Sequence, residues 1–438
     1  MDKSPSVAFI TLGCAKNEVD TNKMKALLGN ANYRLVSSPA EADLTIVNTC
    51  SFLAAAVEEG IDVIFDALEQ AGLREMPGKV LVAGCMPSRY GADLENELTE
   101  VAGFLPAAEE GNVVEVVDRI LGCTSTASKG FNRIADGPSA YVKISDGCDR
   151  FCSYCMIPYI RGRYHSFPYS DIEAEVSELA SQGVHEIVLI GQDTGIWGRD
   201  FEAPSSTYEL LDKLSAAFPE QWFRLLYIQP EGITDELLQL MSERENVCAY
   251  IDIPMQHVNA DILKRMNRKS SRLEIEKQLR HIREVAPNVV IRTTLMAGFP
   301  GETEEQFDEL LGFVDEGLFE FAGVFAYSRE EGSAAAKFDD QVDEDVKMAR
   351  AQALLDACEA SGFKKMRDMV GKRARVVVEG FEQTDVGLEA LGRWQGQAPE
   401  VDGQVHIPLG SGETLEIGDI VSVEFIDSFC YELVGERL

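Results

Sequence analysis

The stretch Asp146–Cys155, DGCDRFCSYC, decides how the rest of this chain is interpreted. It sets Cys148, Cys152 and Cys155, here called the loop trio, in a C-x3-C-x2-C spacing. Cysteine thiolates are the usual ligands of iron–sulfur clusters, and three of them on one loop leave one iron of a 4Fe–4S cluster open. An open iron can chelate the amino and carboxylate groups of S-adenosylmethionine and pass an electron to its sulfonium. The expected product is a 5′-deoxyadenosyl radical.

A structural zinc loop is the alternative interpretation of these three cysteines. Structural zinc sites usually take four ligands from two pairs, and no second pair is placed to complete such a site here. The spacing therefore favours an iron–sulfur cluster.

An alternating strand and helix series begins at the same point of the chain. Short β-branched runs alternate with amphipathic stretches, which is typical of parallel strands covered by helices. The candidate strands are Ala140–Gly147, Glu186–Gln192, Trp222–Ile228, Ala249–Met255, Val289–Met296 and Phe319–Tyr327. The candidate helices are Ser170–Gln182, Ser206–Ala217, Thr234–Arg244, Arg272–Val285 and Glu304–Glu316. Six such units predict a partial (β/α)6 barrel whose site lies at the carboxyl ends of its strands.

The N-terminal part of the chain predicts a smaller parallel α/β domain. Its strand-like runs Ser6–Cys14, Leu44–Cys50 and Lys79–Cys85 each end in a cysteine, with helical stretches between them. Ligands gather at the carboxyl ends of strands in open α/β sheets, so Cys14, Cys50 and Cys85, here called the N-terminal trio, should converge. They could hold a second 4Fe–4S cluster with an open iron. The alternative is three small apolar residues that fill strand ends.

The C-terminal part changes character after a long helical stretch, Asp343–Val370. Five short strand-like runs separated by glycine-rich turns predict a small antiparallel β-barrel of the OB type. The runs are Arg373–Gly380, Glu389–Trp394, Gly403–Leu409, Ile420–Asp427 and Tyr431–Leu438. We therefore divide the chain into an N-terminal domain (1–123), a polar linker (124–138), a core (139–370) and a C-terminal barrel (371–438).

Composition limits the function classes. The chain of 438 residues has 74 acidic and 40 basic residues, a net charge of −34, which repels nucleic acid and attracts basic proteins. It has no apolar run of the ~20 residues that a membrane span needs and no export signal, so we expect a cytoplasmic protein. Of its ten cysteines, Cys123, Cys248, Cys358 and Cys430 are interpreted as small packed residues.

Three core segments are candidates for cofactor contacts because each follows a predicted strand. They are Ile187–Thr194 (IVLIGQDT), Ile251–His257 (IDIPMQH) and Thr294–Thr303 (TLMAGFPGET). They supply polar groups and glycines, where backbone can approach a ligand closely. The candidate S-adenosylmethionine contacts are Gln192, Asp193, Gln256, Gly298 and Glu302. His257 is equally consistent with a hydrogen-bonded residue of the barrel mouth or a substrate contact.

The loop trio resembles that of the radical S-adenosylmethionine superfamily. In that superfamily an aromatic residue precedes the third cysteine and packs near the adenine, a place that Tyr154 fills here. The whole chain is similar to the methylthiotransferases, which have a three-cysteine domain, a radical core and a TRAM barrel. The resemblance implies that one S-adenosylmethionine donates a methyl group and another generates the radical that abstracts hydrogen from an unactivated carbon. It also implies that the second cluster supports sulfur insertion.

Two branches of the methylthiotransferases compete for the substrate. Four segments resemble the RimO-like branch, which modifies an aspartate of small-subunit ribosomal protein S-twelve: Leu12–Thr21 (LGCAKNEVDT), Gln192–Thr194 (QDT), Ile251–His257 and Gly392–Gly403. Gly191 and Ile157–Gly162 (IPYIRG) look more like the MiaB-like branch, which modifies tRNA adenosine. Phe167 replaces an arginine that is usual in both.

Charge supports the RimO-like branch. Residues 371–438 contain 5 basic and 13 acidic residues, a net charge of −8, whereas a TRAM domain that grips RNA needs a basic face. We therefore predict methylthiolation of the β-carbon of an S-twelve aspartate, with flavodoxin or ferredoxin as electron donor and nucleic acid not the substrate. The alternatives are tRNA methylthiolation and a non-catalytic iron–sulfur protein that binds the ribosome or RNA. The sequence does not indicate an oligomeric state.

Overall fold

The structure is a computed structural model that describes residues 4–73, 78–125, 133–385, 387–410 and 412–438. The chain divides into two compact units. Unit 1 comprises Met1–Ile134, Asp146–His165 and Ser328–Ala336. Unit 2 comprises Ala135–Ser145, Ser166–Tyr327 and Lys337–Leu438. The segment that carries the loop trio therefore groups with the N-terminal domain. Most of the predicted linker, residues 126–132, lies outside the described residues.

Unit 1 is built on a five-stranded parallel sheet, as the N-terminal strand–helix alternation predicts. Its strands are β1 (Ser6–Thr11), β2 (Arg34–Val36), β3 (Leu44–Thr49), β4 (Lys79–Gly84) and β5 (Gly103–Pro106), in the order β2-β1-β3-β4-β5. Its helices are α1 (Ala15–Asn30), α2 (Ala54–Gly72), α3 (Cys85–Tyr90), α4 (Ala92–Glu97) and α5 (Val113–Leu121). The two edge strands, β2 and β5, are short and were not predicted.

Helices cover both faces of this sheet because successive strand residues point to opposite sides. Ile46 packs with Leu28 of α1 and Val117 of α5 on one face. Its neighbour Val47 packs with Ile64 of α2 on the other. All six residues of β3 are buried, so this strand is the centre of the unit.

The core that follows contains the six predicted parallel strands and their helices. Its strands are β6 (Ser139–Lys143), β7 (Ser145–Asp146), β8 (His165–Ser166), β9 (Glu186–Ile190), β10 (Trp222–Leu225), β11 (Tyr250–Gln256), β12 (Val290–Ala297) and β13 (Phe321–Ala326). Its helices are α6 (Ile157–Ile160), α7 (Tyr169–Ser181), α8 (Thr207–Ala217), α9 (Asp235–Glu243), α10 (Ala260–Arg265), α11 (Arg272–Val285), α12 (Glu304–Asp315) and α13 (Glu344–Arg367). The first predicted strand ends at Lys143, four residues early, and β7 is a separate two-residue strand.

The six strands form two three-stranded sheets, β6-β9-β10 and β11-β12-β13. A single parallel bridge between Phe223 and Val247 continues the series from β10 towards β11. This arrangement is the predicted partial barrel of parallel strands. Several core helices begin where a side chain caps the first turn: Ser206, Thr234 and Thr303 accept backbone N–H groups of α8, α9 and α12.

The C-terminal residues form the predicted closed barrel. Its strands are β14 (Arg373–Thr384), β15 (Gly387–Trp394), β16 (Val405–Pro408), β17 (Ile420–Ser428) and β18 (Leu433–Arg437), in the order β14-β15-β16-β18-β17. Four strand pairs are antiparallel, and β16 pairs with β18 in parallel. Val376, Val378 and Phe425 fill its interior.

Buried ion pairs join this barrel to the core within unit 2. Arg393 of β15 contacts Glu186, the first residue of β9, at 2.5 Å, and Arg224 of β10 contacts the same carboxylate at 2.7 Å. Tyr250 donates to Asp402 at 2.6 Å on the same side of the core. Among the described residues, no helix is both long enough and apolar enough to cross a membrane.

Candidate active site

Local backbone geometry shapes the segment that carries the loop trio. Gly147 has a φ of +75°, and a Cβ built there would lie 2.2 Å from the carbonyl oxygen of Arg163, so only glycine fits. The N–H of Cys148 donates to Gly162 O at 3.2 Å, which closes the segment into a loop. Cys148, Cys152 and Cys155 are all partly exposed on it.

The sulfur of Cys155 already accepts a backbone donor. The N–H of Ile157 points to Cys155 Sγ at 3.5 Å, and the N–H of Cys155 donates to Cys152 O at 3.0 Å. Backbone N–H groups directed at sulfur are a recognised influence on cluster thiolates. Tyr154, the predicted adenine contact, is half-buried on the same loop.

The structure brings the N-terminal trio together at the carboxyl edge of the sheet. Cys14 is the N-cap of α1, Cys50 follows β3, and Cys85 is the first residue of α3. The thiols of Cys14 and Cys85 lie 3.8 and 3.9 Å from the same acceptor, Asn17 Oδ1. Gly13 has a φ of +101°, and a Cβ there would lie 2.7 Å from the Cβ of Cys50. The thiols of Cys14 and Cys85 therefore meet at Asn17, and Cys50, at a third strand end, lies beside Gly13.

Burial disfavours the thiolate form of two cysteines of the N-terminal trio, Cys50 and Cys85. It raises the pKa of Cys50, and it raises the pKa of Cys85 to about 12, partly opposed by the nearby Arg161 guanidinium. Buried thiols of this kind are inert without a metal, whereas a coordinating metal deprotonates a thiol outright. The surroundings of these cysteines thus suit metal ligands better than free nucleophiles.

Arg161, just after α6, connects the loop to the N-terminal trio within unit 1. Its Nη1 contacts Asp20 Oδ2 at 2.6 Å and Asp146 Oδ2 at 3.5 Å, and its Nη2 donates to Asn17 Oδ1 at 3.1 Å. Arg161 is 8% exposed and Asp20 1% exposed. In the sequence, Asp20 and Arg161 were noticed only as members of segments that resemble the two methylthiotransferase branches. Their role was missed because their proximity depends on residues more than 140 positions apart.

A third segment of unit 1, residues 328–336, packs against both of the others. Glu330 accepts the N–H of Ala54 at 2.9 Å and pairs with Arg89 at 3.0 Å. The N–H of Ala335 donates to Ser153 O on the loop at 2.8 Å. This segment therefore braces the loop against the N-terminal sheet.

Both trios fit 4Fe–4S clusters by their donor set and position. Within the described ranges, no three His, Cys, Asp or Glu side chains are close enough to hold one metal ion. In a 4Fe–4S cluster each thiolate would bind a different iron. The trios supply three soft ligands each, and each would leave one iron of its cluster open.

The predicted S-adenosylmethionine contacts of unit 2 lie at or just beyond strand ends, as their positions in sequence suggested. Gln192 and Asp193 follow β9, and Asp193 is fully buried. Gln256 ends β11 with a φ of +71°, beside a break in its register with β12. A non-glycine residue in this left-handed conformation is costly and is often found at functional sites. Tyr227, beyond the end of β10, has the same conformation (φ +61°) and was not predicted.

Glu302 and Gly298 form one buried unit beyond β12. The N–H of Gly298 donates to both oxygens of Glu302, at 3.0 and 3.1 Å. Arg350 of α13 pairs with the same carboxylate at 2.8 Å, and His257 Nε2 lies 3.4 Å from it. The carboxylate thus shapes the Gly298 turn directly. His257 is fully buried beside it, and its Nδ1 accepts the N–H of Asn259 at 2.9 Å.

The remaining four cysteines are spread over the molecule. Cys248 and Cys358 are buried, and burial raises the pKa of each to about 12. Cys123 and Cys430 are half-buried.

Comparison with known proteins agrees with this three-part architecture. Residues 142–314 match the family described as radical SAM superfamily, residues 6–106 match the uncharacterized protein family UPF0004, and residues 370–438 match the TRAM domain. Among solved structures, the radical S-adenosylmethionine methyltransferase TsrM from Kitasatospora setae is similar, with a TM-score of 0.57 and 12% identity over 87% of this chain and 78% of that one. That likeness supports the fold.

The fold and the loop trio therefore define a radical S-adenosylmethionine enzyme with a TRAM domain. Its curated relatives are similar over nearly their whole length. A protein of Geobacter sulfurreducens named ribosomal protein uS12 methylthiotransferase RimO is 40% identical over 98% of both chains. A protein of the same name from Natranaerobius thermophilus is 39% identical over 98% of both chains. The chain belongs to this methylthiotransferase family.

Proposed function

We propose that this protein adds a methylthio group to the β-carbon of an aspartate of small-subunit ribosomal protein S-twelve. The observation that carries the proposal is the convergence of the N-terminal trio at one edge of the sheet, in the same compact unit as the loop trio. Relatives at about 40% identity carry the name of that activity.

The two trios have different tasks in this proposal. Cys148, Cys152 and Cys155 would hold the cluster that reduces S-adenosylmethionine, and Cys14, Cys50 and Cys85 the cluster that supports sulfur delivery. Glycine is required at position 147 of the loop because a Cβ there would collide with the backbone of Arg163. Glu330 and Ala335 keep the loop braced against the N-terminal sheet.

The strand ends of unit 2 would bind S-adenosylmethionine. Gln192, Asp193 and Gln256 place polar side chains there, and Tyr154 would pack on the adenine from the loop. Glu302 would act through the Gly298 turn, since its carboxylate accepts that N–H and pairs with Arg350.

Charge supports a basic protein as the substrate. Residues 371–438 have a net charge of −8 in a chain of net charge −34, which attracts a basic ribosomal protein and repels tRNA. We also propose reduction by flavodoxin or ferredoxin, because each cleavage of S-adenosylmethionine consumes one electron. A cytoplasmic location is proposed as well.

Mass spectrometry of S-twelve and of tRNA hydrolysate from cells lacking the gene tests the substrate. We expect a methylthio mass to disappear from S-twelve while the tRNA nucleosides stay unchanged. Loss from tRNA alone would reverse the substrate assignment in favour of the MiaB-like branch. Anaerobic reconstitution tests the chemistry, since two cubane clusters require about eight iron and eight sulfide per chain.

A further inference from the structure

Arg161 is a buried cation that follows the loop trio in sequence but lies beside the N-terminal trio in space. It lies six residues after Cys155, yet its guanidinium lies against residues that surround the N-terminal trio. Asn17, which accepts from Arg161 Nη2 at 3.1 Å, is also the acceptor for the thiols of Cys14 and Cys85. The guanidinium and two of the three thiols thus share one amide oxygen as acceptor.

The charges around Arg161 are fixed in place and shielded from water. Asp20, 1% exposed, holds one guanidinium nitrogen at 2.6 Å, and Asp146, 9% exposed, lies 3.5 Å from the same nitrogen. Buried charges are screened much less than exposed ones, and their fields reach further in a medium of low polarity. A change of one charge here therefore acts directly on whatever the N-terminal trio holds.

A cluster held by three thiolates becomes more negative when it accepts an electron. A fixed cation beside it stabilises the reduced state more than the oxidised one, and net charge is one of the factors that set cluster potentials. Resting on the proposed function, we propose that Arg161 is a positioning residue that raises the reduction potential of the cluster of Cys14, Cys50 and Cys85. Because it is carried on the loop of the other trio, it also ties the environments of the two clusters together.

The shape of the guanidinium matters as well as its charge. Arginine presents donors in a rigid fork, which here reaches Asp20 with one nitrogen and Asn17 with the other. Lysine at this position keeps the charge but lacks the rigid fork that directs separate nitrogens to Asp20 and Asn17. Arg161→Lys should therefore lower the reduction potential of the cluster less than Arg161→Met does.

The test is a reductive titration followed by electron paramagnetic resonance on full-length protein that carries only the N-terminal cluster. The parent for this test has Cys148→Ala, Cys152→Ala and Cys155→Ala, so that one signal is observed. Adding Arg161→Met should shift the midpoint potential lower, and adding Arg161→Lys should give a smaller downward shift. Adding Arg163→Met is the matched control, because that side chain is on the same loop, 74% exposed and paired with Asp149. It should leave the potential of the parent unchanged.

A second variant gives the opposite sign and remains decisive if Arg161→Met does not fold. Asp20→Asn removes a buried negative charge that Arg161 now neutralises, so the midpoint potential should rise. A potential equal to that of the parent in Arg161→Met, or in Asp20→Asn when Arg161→Met cannot be measured, overturns the proposal even if stability falls. Failure of the parent to bind any cluster would instead count against the proposed function, so the two failures are distinguishable.

Discussion

Arg393 of the C-terminal barrel donates to the buried carboxylate of Glu186 at 2.5 Å, at the amino-terminal end of core strand β9. Arg224 shares that carboxylate from the neighbouring strand at 2.7 Å, and Glu379 contacts the same nitrogen of Arg393 at 2.6 Å. The barrel is thus attached at the end of the core strands opposite to the candidate S-adenosylmethionine contacts.

Removing Arg393 should destabilise the protein strongly. Arg393→Met leaves the fully buried Glu186 with one cation instead of two, and breaking a buried ion pair costs about 3–5 kcal/mol. Urea denaturation followed by circular dichroism measures the change in unfolding free energy. Arg373→Met is the control, because its pair with Glu424 is exposed and should contribute less than about 1 kcal/mol. Equal effects of the two substitutions would contradict the assigned importance of the network.

The carboxylate of Glu186 should also make the free energy of unfolding fall at low pH. Burial alone would raise the pKa of Glu186, but Arg224 and Arg393 outweigh it and lower the pKa to about 2 from the ordinary value of 4.5. The unfolded chain therefore takes up this proton first, so the stabilisation is complete above pH 4.5 and is lost as pH falls towards 2. Glu186→Gln should flatten the fall of unfolding free energy below pH 4.5. An unchanged slope in urea titrations across this range would show that Glu186 is not responsible.

Replacing one cysteine from each trio should separate the two tasks. Cys148→Ala should abolish formation of 5′-deoxyadenosine from S-adenosylmethionine with dithionite, since it removes a ligand of the radical-forming cluster. Cys50→Ala should preserve that cleavage and stop formation of the methylthio product. Chromatography of the nucleoside and mass spectrometry of S-twelve measure the two outcomes. Retention of both activities in either variant would refute the two-cluster scheme.

Two glycines of the loop provide a matched test of loop geometry. Gly147 and Gly162 both have positive φ values, +75° and +78°, but only Gly147 has backbone atoms within reach of an added Cβ. Gly147→Ala should displace Arg163 and lower the iron and sulfide bound after reconstitution. Gly162→Ala carries the backbone cost alone, about 1 kcal/mol, and should bind iron almost normally. Similar iron content in the two variants would mean that the close approach is unimportant.

Because the backbone of Gln256 is left-handed, glycine can replace this residue without backbone strain, and the role of the side chain can be tested. Gln256→Gly removes the amide and relieves a costly conformation, so thermal stability should hold or rise while S-adenosylmethionine binds more weakly. Equilibrium dialysis with reconstituted protein measures the dissociation constant. Asn267→Gly, also left-handed (φ +61°) and exposed, is the control and should leave binding unchanged. Unaltered affinity in Gln256→Gly would remove it from the cofactor contacts.

Local patterns were sufficient to predict the architecture. The β-branched runs around Ile46 and Ile187 predicted buried parallel strands, and both lie in such strands. The glycine-rich turns after Gly371 predicted the small barrel, whose five strands follow the predicted runs. These features depend on residues close in sequence, where periodicity carries the information. The edge strand β2 was missed because three residues are too few for a pattern.

Tertiary relationships were predicted only where a general rule of topology applied. The convergence of Cys14, Cys50 and Cys85 followed from the rule that parallel strands present their carboxyl ends at one edge. No such rule links Arg161 to Asp20, or Glu330 to Ala54, because each contact joins segments separated by more than a hundred residues. The left-handed conformations of Tyr227 and Gln256 likewise have no signature in residue type.

Unit 1 closes only when Glu330 and Ala335 reach Ala54 and Ser153, and this has a consequence for the order of events during synthesis. All six cysteines of the two trios leave the ribosome before this bracing segment does, because unit 1 is complete only at residue 336 of 438. Contacts of such sequence separation form late, since the chain must first pay the entropy of closing long loops. The N-terminal sheet and the loop are therefore synthesised well before the segment that braces them against each other.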